Sequence, residues 1–406
     1  MILGLKLRQL RAALAVYQSG SALRAAQVVQ LSPPAVLGAV SALEAAVGSA
    51  LFERTARGMS PSPAGVLFCR RIEAGVGHLR AAEAELGQHR HFANQIGHVH
   101  LRALLMLLDT DGFSTAARRL GLSQPTLHRA ARELEALVGC TLWRRQGRVI
   151  HPTSEAVRLG YRAGLLMSEL RMGIDELGEL EGRMTGSLRI GALPLARSKW
   201  LPHALALTLE HYPQVDVSIV DGPYEEQLDA LMRGSLDMIL GALRLAEISA
   251  DIVQEALFED PLSIVVRAGH PLAAGFGSDH DKLTSAELEA LPWILPPRMT
   301  PARTNFEAFM AAKGLSAPSR VVECNSLVAI RGLLLETDYA AVLSARQVEY
   351  ELELQQLKIL GPPLTGSAQL IGITTRAGFR PTRLCGHFLE AVRAVAESLI
   401  HPPAGA

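Results

Sequence analysis

Residues 116–139 read AARRLGLSQPTLHRAARELEALVG, and their pattern decides how the N-terminal half folds. Ala116-Ala117 sits in a short helix whose small residues let a second helix approach closely. Leu120-Gly121-Leu122 then puts a glycine where the backbone must turn. Ser123 is suited to cap the next helix, and Pro125 fits within its first turn. That helix runs to about Leu137, and Gly139 ends it. Helix, tight turn and second helix make a helix-turn-helix pattern. The following residues, Leu142 to Ile150, read as a small β-hairpin wing that carries Arg144, Arg145 and Arg148.

The same pattern occurs earlier in the chain. A shift of 91 residues lays 10–66 on 101–157 without a gap, and about 20 of the 57 positions are identical. Ala25-Ala26 falls on Ala116-Ala117, Ser32 on Ser123, and Leu43-Glu44-Ala45 on Leu134-Glu135-Ala136. Gly48, Leu51, Arg54 and Pro61 fall on Gly139, Leu142, Arg145 and Pro152. Leading helices are marked by Leu7, Leu10, Leu14 and Tyr17, and by Leu101, Leu104, Leu105 and Leu108. Two copies are too few for a solenoid, so a duplicated domain is the simpler reading.

Charge separates the two halves of the 406-residue chain. Forty basic and forty acidic residues cancel overall, yet residues 1–183 hold 22 basic against 15 acidic groups and 184–406 hold 18 against 25. A positive half beside a negative one suits a polyanion partner for the first and a different partner for the second. Arginine supplies 35 of the forty cations, and its planar fork matches phosphate and base edges. At 49% hydrophobic and 20% charged residues, intrinsic disorder is excluded. No 18-residue stretch lacks charges or breakers, so no membrane role is expected, and the first residues lack an export pattern. Cys69, Cys140, Cys324 and Cys385 fit neither a disulfide framework nor a paired metal site. A cytoplasmic protein is expected.

Long helices are expected over 63–93 and 154–183. In the second, Leu159, Leu166 and Leu180 recur at sevens, interleaved with Ala163, Leu170, Leu177 and Met184. That period favours a coiled-coil partner and dimerisation, with Gly173 weakening one layer; packing within the chain is the alternative. Ile72, Leu79 and Leu86 give the first helix a shorter seam. His89, His91, His98 and His100 lie between the copies, where a polar connector is expected rather than a metal site.

From Gly186 the pattern alternates between strands and helices. Residues 187–193, 215–220 and 238–240 read as strands, with helices ending near Tyr212 and covering Tyr224 to Arg233. Such alternation predicts a parallel sheet with helices on its faces, and ligands bind beyond its strands' carboxyl ends.

At this point a family resemblance becomes specific. Ala116-Ala117, Leu120 to Leu127, Leu134-Glu135, Val138-Gly139 and Leu142 resemble the winged helix-turn-helix of LysR-type transcriptional regulators. The first copy resembles it through Ser21, Ala25-Ala26, Leu31-Ser32, Leu43-Glu44, Gly48 and Leu51 to Arg54. The usual member has one such domain; this chain has two. Leu188 to Gly191, Trp200 to Pro202, Gly234 to Asp237, Phe258 to Leu262 and Arg267 to Leu272 resemble the family's effector domain. The resemblance implies two tandem winged helix-turn-helix domains, linker helices and a two-lobed α/β domain like a periplasmic binding protein. The expected divisions are 1–95, 96–153, 154–185 and 186–400. Lobe I takes about 186–267 and 370–400, and lobe II about 268–369, with a first crossing near Arg267 to Pro271.

Implied partners are double-stranded promoter DNA, a small-molecule effector and a second copy of the chain as homodimer or homotetramer, with RNA polymerase a further candidate. The second copy offers DNA Ser123, Gln124, Pro125, Thr126, His128, Arg129 and Arg132, with Arg144, Arg145 and Arg148 on its wing. At the same register the first copy has Ser32, Pro33, Ala35, Leu37, Gly38 and Ser41, and its wing holds Arg54 and Arg57. Gln can bond adenine and Arg guanine, whereas Leu and Gly cannot, so the second copy is the expected reader. The first is a scaffold, a phosphate contact or a protein contact.

Strand ends nominate the effector cleft: Pro194, Leu195, Ala196 and Arg197 beside a helix start, Tyr224, Arg298 with Met299 and Thr300, and Asn325-Ser326. Arg298 suits a carboxylate. Family members often carry a hydroxyl residue where Leu195 stands, so a less polar contact or a different effector is expected. Cys324 beside Asn325 raises redox sensing, but no partner cysteine is placed by sequence. No nucleophile elbow, P-loop, dinucleotide fingerprint or His-Glu-x-x-His is present, and Asp279-His280-Asp281 reads as solvated loop, so neither enzyme activity nor a cofactor is expected. The alternative to a DNA reader is a ligand sensor acting mainly through protein contacts.

Overall fold

Hydroxyl side chains start many helices of the N-terminal half, and left-handed residues end them, because a helix leaves its first amides and last carbonyls unpaired. A computed structural model describes residues 4–55, 58–87, 91–146, 149–244, 250–274 and 282–400. Helix α1 (Leu7–Ser19) stops at Gly20 (φ 66°), and Ser21 starts α2 (Ala22–Val29). Helix α3 (Pro33–Val47) runs from the Ser32 cap to Gly48 (φ 78°). An antiparallel wing, β1 (Phe52–Thr55) and β2 (Gly58–Pro61), leads into the long α4 (Pro63–Glu85). The second copy repeats the order as α5 (His98–Leu108), α6 (Phe113–Leu120), α7 (Gln124–Val138), the wing β3 (Trp143–Gln146) and β4 (Val149–Pro152), and α8 (Ser154–Leu180).

The repeat holds at the level of atoms. Glu44 Oε1 accepts the amides of Leu51 and Phe52 at 2.8 and 3.0 Å; Glu135 Oε1 accepts those of Leu142 and Trp143 at 2.8 and 3.1 Å. Ser62 Oγ donates to the Ala50 carbonyl at 2.7 Å, as Thr153 Oγ1 does to Thr141 at 3.0 Å. The shared glutamate therefore ties the third helix of each copy to its wing.

The seam of α8 is filled by α4 of the same chain. Leu159, Ala163, Leu166, Leu170 and Leu177 are buried in one core with Phe68, Ile72 and Leu79. Each fully buried leucine or isoleucine contributes roughly 1.5–3 kcal/mol. Phe68 lies against Gly173, Gly75 against Leu166, and Glu85 pairs with Arg162, so the helices run antiparallel. The expected partner for the seam is thus internal. Leu180 and Met184, 47% and 55% exposed, lie beyond its end. Gly173 does not weaken the pair: a Cβ there would stand 2.8 Å from the Phe68 ring, so the glycine permits the contact. The connector also departs from expectation. Phe92, Ala93 and Ile96 are buried, and Arg11 donates to the Ile96 carbonyl at 2.8 Å, so this segment belongs to the core rather than to a polar linker. Burial lowers the Arg11 pKa to about 10. His100 bonds the Gly97 amide at 3.1 Å and faces Glu133 at 3.3 Å; His89 lies outside the described residues.

The C-terminal half forms two five-stranded sheets. The elements continue as β5 (Thr185–Ala192), α9 (Trp200–His211), β6 (Gln214–Val220), α10 (Tyr224–Met232), β7 (Met238–Ala242), β8 (Ile252–Asp260) and β9 (Ser263–Arg267). Then come α11 (Ser285–Ala290), β10 (Trp293–Leu295), α12 (Pro301–Ala312), β11 (Val321–Glu323), α13 (Leu327–Glu336) and β12 (Ala340–Leu343). The chain closes with α14 (Glu349–Glu353), β13 (Leu357–Ile359), β14 (Gln369–Arg376) and α15 (Arg383–Ile400). Lobe I has the order β6-β5-β7-β14-β8 and lobe II β11-β10-β12-β9-β13.

Two expectations need correction. The sheets are mixed rather than parallel, because β14 runs against β7 and β8, and β9 against β12 and β13. The first crossing lies at Pro261-Leu262, not at Arg267 to Pro271, because Ile264 and Val265 pair with Val342 and Ala341 in lobe II.

Helix α8 is bolted to lobe I. The buried Arg171 guanidinium pairs with Asp237 and donates to Ser187 Oγ at 2.7 Å, while Asp175 Oδ2 accepts the same hydroxyl at 2.9 Å. Burial raises the Asp175 pKa, with the Ser187 bonds and Arg171 opposing. Tyr161 bonds Asp229, and Gly164 allows the Arg233 carbonyl to touch the helix backbone.

Candidate nucleic-acid interface and ligand cleft

The amides at the start of α7 define its outer face. Ser123 Oγ accepts the Thr126 amide at 3.3 Å and lies 2.7 Å from Thr126 Oγ1, so these hydroxyls serve the cap. Ser123, Gln124, Pro125, Thr126, Arg129 and Arg132 are all exposed, while Leu127, Ala130, Ala131 and Leu134 point into the core. Gln124, Arg129 and Arg132 therefore share one solvent-facing side of the helix. His128 is held differently. Its ring stacks on Phe113 of α6, centroids 3.9 Å apart and planes 3° apart. Partial burial, and then the nearby Arg132 charge, lower its pKa, which favours the neutral ring. Arg144 and Arg145 are exposed on β3; Arg148 lies outside the described residues.

Two cations escaped the sequence reading. Arg118 and Arg119 are exposed in the last turn of α6, where positive charge also complements the helix dipole. Their signal in the sequence is the doublet inside AARRLG, beside alanines whose small size serves the helix contact.

The first copy presents the same shape with other chemistry. Ser32 caps α3 through the Ala35 amide at 3.4 Å, Pro34, Gly38 and Ser41 are exposed, and Leu37 is half-buried. Arg54 is exposed on β1, and Arg57 lies outside the described residues. On α2, Leu23 and Val28 are 64% and 71% exposed, at the positions filled in the second copy by Ser114 and Arg119.

Between the lobes, loops from both sheets meet. In lobe I, Pro194 is exposed and Leu195 half-buried, whereas Ala196 is packed in the core with Trp200 and Phe388. The helix expected beside them begins only at Trp200, so 194–199 is a run of turns. Arg197 is taken up by Asp221 at 2.7 Å. Tyr224 is buried against Leu193 and Leu231 and does not line the opening as a ring. Its hydroxyl accepts from Gln254 at 3.4 Å. In lobe II, Arg298 is exposed, and Thr300 caps α12 while donating to the Pro297 carbonyl at 2.7 Å. Asn325 and Ser326 are exposed, with Ser326 capping α13. The Cys324 amide donates to the Leu295 carbonyl, which sets the Asn325 loop beside the Arg298 loop.

Arg244 is the residue that sequence reasoning missed here. Its guanidinium lies 5.0 Å from the Tyr224 ring centroid, and Nη1 donates across the lobes to the Met299 carbonyl at 3.1 Å. Its Nε is buried with no hydrogen-bond partner among the described residues. The strand-end rule would have found it had β7 been extended past Leu240. Ser198 with the Gln347 carbonyl (3.5 Å) and Lys199 with Glu349 (2.6 Å) also cross between the lobes. No group of three or more metal-ligating side chains occurs among the described residues. Nor, among them, is any single helix long and apolar enough to cross a membrane.

Comparison with known proteins follows the same divisions. The model of the bacterial regulatory helix-turn-helix protein, lysR family, matches twice, at 7–66 and 98–157. The LysR substrate binding domain matches 181–397. The HTH-type transcriptional regulator GalR of Pseudomonas putida is 34% identical over 92% of each chain. PcaQ of Agrobacterium fabrum, also an HTH-type transcriptional regulator, is 28% identical over 95% of its own length but 74% of this chain. The remaining quarter is about the size of one winged unit with its connector. Full-length OxyR from Pseudomonas aeruginosa superposes with a TM-score of 0.56 at 21% identity, covering 74% of this chain and 96% of that one.

Proposed function

The chain belongs to the LysR family of bacterial transcriptional regulators, DNA-binding proteins with a substrate-binding domain and not enzymes, and from that premise we propose that its second winged unit reads the operator. One observation carries the proposal: on two copies of one fold, the exposed face of α7 holds Gln124, Arg129 and Arg132, whereas at the same positions α3 holds the half-buried Pro33 and the exposed Gly38 and Ser41. Gln and Arg bond base edges bidentately, each worth about 1–3 kcal/mol of discrimination. Arg118, Arg119, Arg144 and Arg145 supply phosphate contacts, which orient the protein without selecting sequence. Gln124→Ala or Arg129→Ala should weaken operator binding roughly 5–150-fold and random-duplex binding far less. Equal losses on both duplexes in a fluorescence anisotropy titration would sink the assignment.

The effector is a small anion, a carboxylate being the simplest, held between Arg244 and Arg298 with Thr300, Asn325 and Ser326 as polar partners. Arg244 supports this reading, since it lies against Tyr224 of one lobe, donates to Met299 of the other and has no partner for its Nε among the described residues. A ligand that binds one separation of the lobes better shifts the population toward it; equal affinity for both would shift nothing. Thermal-shift screening of small carboxylates on the full chain should find a stabilising ligand whose effect Arg244→Ala removes. A ligand that stabilises both proteins equally would place its site elsewhere.

A second reading has one observation in its favour. Leu23 and Val28 are apolar and exposed where a phosphate-contacting face needs polar groups, which favours a protein contact for the first copy. Absence of binding at low salt to the DNA upstream of its own gene would favour a sensor that works through such contacts.

A further inference from the structure

The contacts between α4 and α8 repeat themselves under the 91-residue shift. Arg71 pairs with Glu176, and Arg162 pairs with Glu85. Arg71 and Arg162 are equivalent positions, as are Glu85 and Glu176, so the same ion pair is made twice with the roles of the helices exchanged. Gly75 meets Leu166, which is its own equivalent, and Phe68 meets Gly173, the equivalent of Ala82, which is itself buried. A contact set in which i meets j and the counterpart of j meets the counterpart of i is the signature of an isologous, two-fold interface. Here the two-fold relates the halves of a single chain, and its axis passes beside Gly75 and Leu166.

We propose that one chain is by itself a two-headed DNA reader, an internal dimer that sets a base-reading head beside a head holding only the duplex backbone, so that each operator unit is asymmetric. The base-reading half of this rests on the assignment of α7 above. A two-fold rotation preserves the component of any direction along its axis, so the outer faces of α3 and α7 look the same way along that axis. Helix-turn-helix pairs related in this way engage neighbouring stretches of one duplex. The first head brings the exposed Arg24 and Arg54 for phosphates, and no side chain on the outer face of α3 that bonds a base bidentately. The interface is also used up: Leu159, Ala163, Leu166, Leu170 and Leu177 are at most 2% exposed against the chain's own α4, which leaves no seam for the helix of a second chain.

Two measurements on the full-length chain test this. Glu85→Cys with Arg162→Cys converts a surface ion pair into an oxidisable pair, with each single substitution as the control for the native thiols. Oxidation should give a crosslinked single chain on non-reducing electrophoresis at all protein concentrations, and DNA affinity should stay within about twofold. Crosslinked pairs of chains, or loss of DNA binding on oxidation, would overturn the internal dimer. Selection from random duplexes followed by hydroxyl-radical footprinting should give one preferred sequence flanked on one side by a protected stretch without preference. Arg24→Ala with Arg54→Ala should shorten that stretch and lower the salt slope of binding by about one to two. Two inverted copies of one preferred sequence inside a single chain's footprint, or a stretch unchanged by the double substitution, would overturn it. If the preferred sequence survives Gln124→Ala and Arg129→Ala while the crosslink stays within one chain, the reader assignment fails and the internal dimer stands.

Discussion

Glu44 and Glu135 accept the same pair of wing amides in the two winged units, whereas Gly38 and Arg129, also equivalent, have nothing chemical in common. The comparison separates two sets of residues that an ordinary winged unit mixes. One set builds the unit and recurs in both copies: the Ser32 and Ser123 caps, the Gly48 and Gly139 stops, and the two glutamates. The other set lies on the outer faces of α3 and α7 and differs between the copies. Copy one holds ten basic against five acidic groups over residues 1–95, so positive charge alone does not separate the two copies, whereas the side chains on the outer faces of α3 and α7 do.

The symmetry of the two copies breaks most sharply at Arg71. It donates to Glu176 at 3.0 Å, to Glu169 at 2.9 Å and to the Arg380 carbonyl at 3.0 Å, with its side chain 7% exposed. Burial opposes its charge, but the bonds to Glu176 and Glu169 prevail and raise its pKa. Arg71→Ala leaves two mostly buried carboxylates, 14% and 16% exposed, without their cation and should cost about 3 kcal/mol in chemical unfolding. Its counterpart Arg162 pairs with the partly exposed Glu85, and Arg162→Ala should cost less than about 1 kcal/mol. Similar costs would mean that the Arg380 junction adds nothing.

A smaller contrast lies at the turn between the second and third helices. Gly121 ends α6 at φ 66°, and Gln30 ends α2 at φ 53°. Only the second copy has the residue that takes this conformation without strain. Gly121→Ala should lower the melting free energy by about 1 kcal/mol, and Gln30→Gly should raise it by less than that. Changes of equal sign would show that the turns are not equivalent.

The smallest effect concerns His128, opposite Leu37 in the first copy. Its folded pKa lies below the ordinary 6.5, so the unfolded chain takes up the proton first as pH falls. The stability tied to the neutral stack is present above the unfolded pKa and declines as pH drops below it toward the folded value. An NMR titration of the His128 ring should have its midpoint below 6.5; a midpoint at or above it would mean that the Phe113 stack does not hold the ring neutral.

The sequence made the repeat, the caps, the wings and the alternation of the C-terminal half legible because these depend on residues close in the chain. What escaped it depends on partners far apart. A heptad seam states that a helix has an apolar side and not which helix covers it, so the period of α8 leaves α4 and the helix of a second chain as equal partners. Phe92 and Ile96 stand among the polar His91, His98 and His100, and their burial needs α1 and α4 to be in place. Phe258 to Arg267 carries two strands separated only by Pro261-Leu262, and only strand pairing shows that they belong to different lobes. On α7, Gln124 and Arg129 are exposed as their spacing predicts, while a donor list does not reveal that His128 turns onto Phe113.

The ion pair made twice, once as Arg71 with Glu176 and once as Arg162 with Glu85, has a consequence for inheritance. When two identical chains form a dimer, one codon writes both reading helices, and every mutation is imposed on both halves of the operator. Here each head has its own codons while the joint between them is preserved. A change at Gly38 alters the outer face of the first winged unit and leaves Arg129 on the second as it was, so the two faces answer to selection separately.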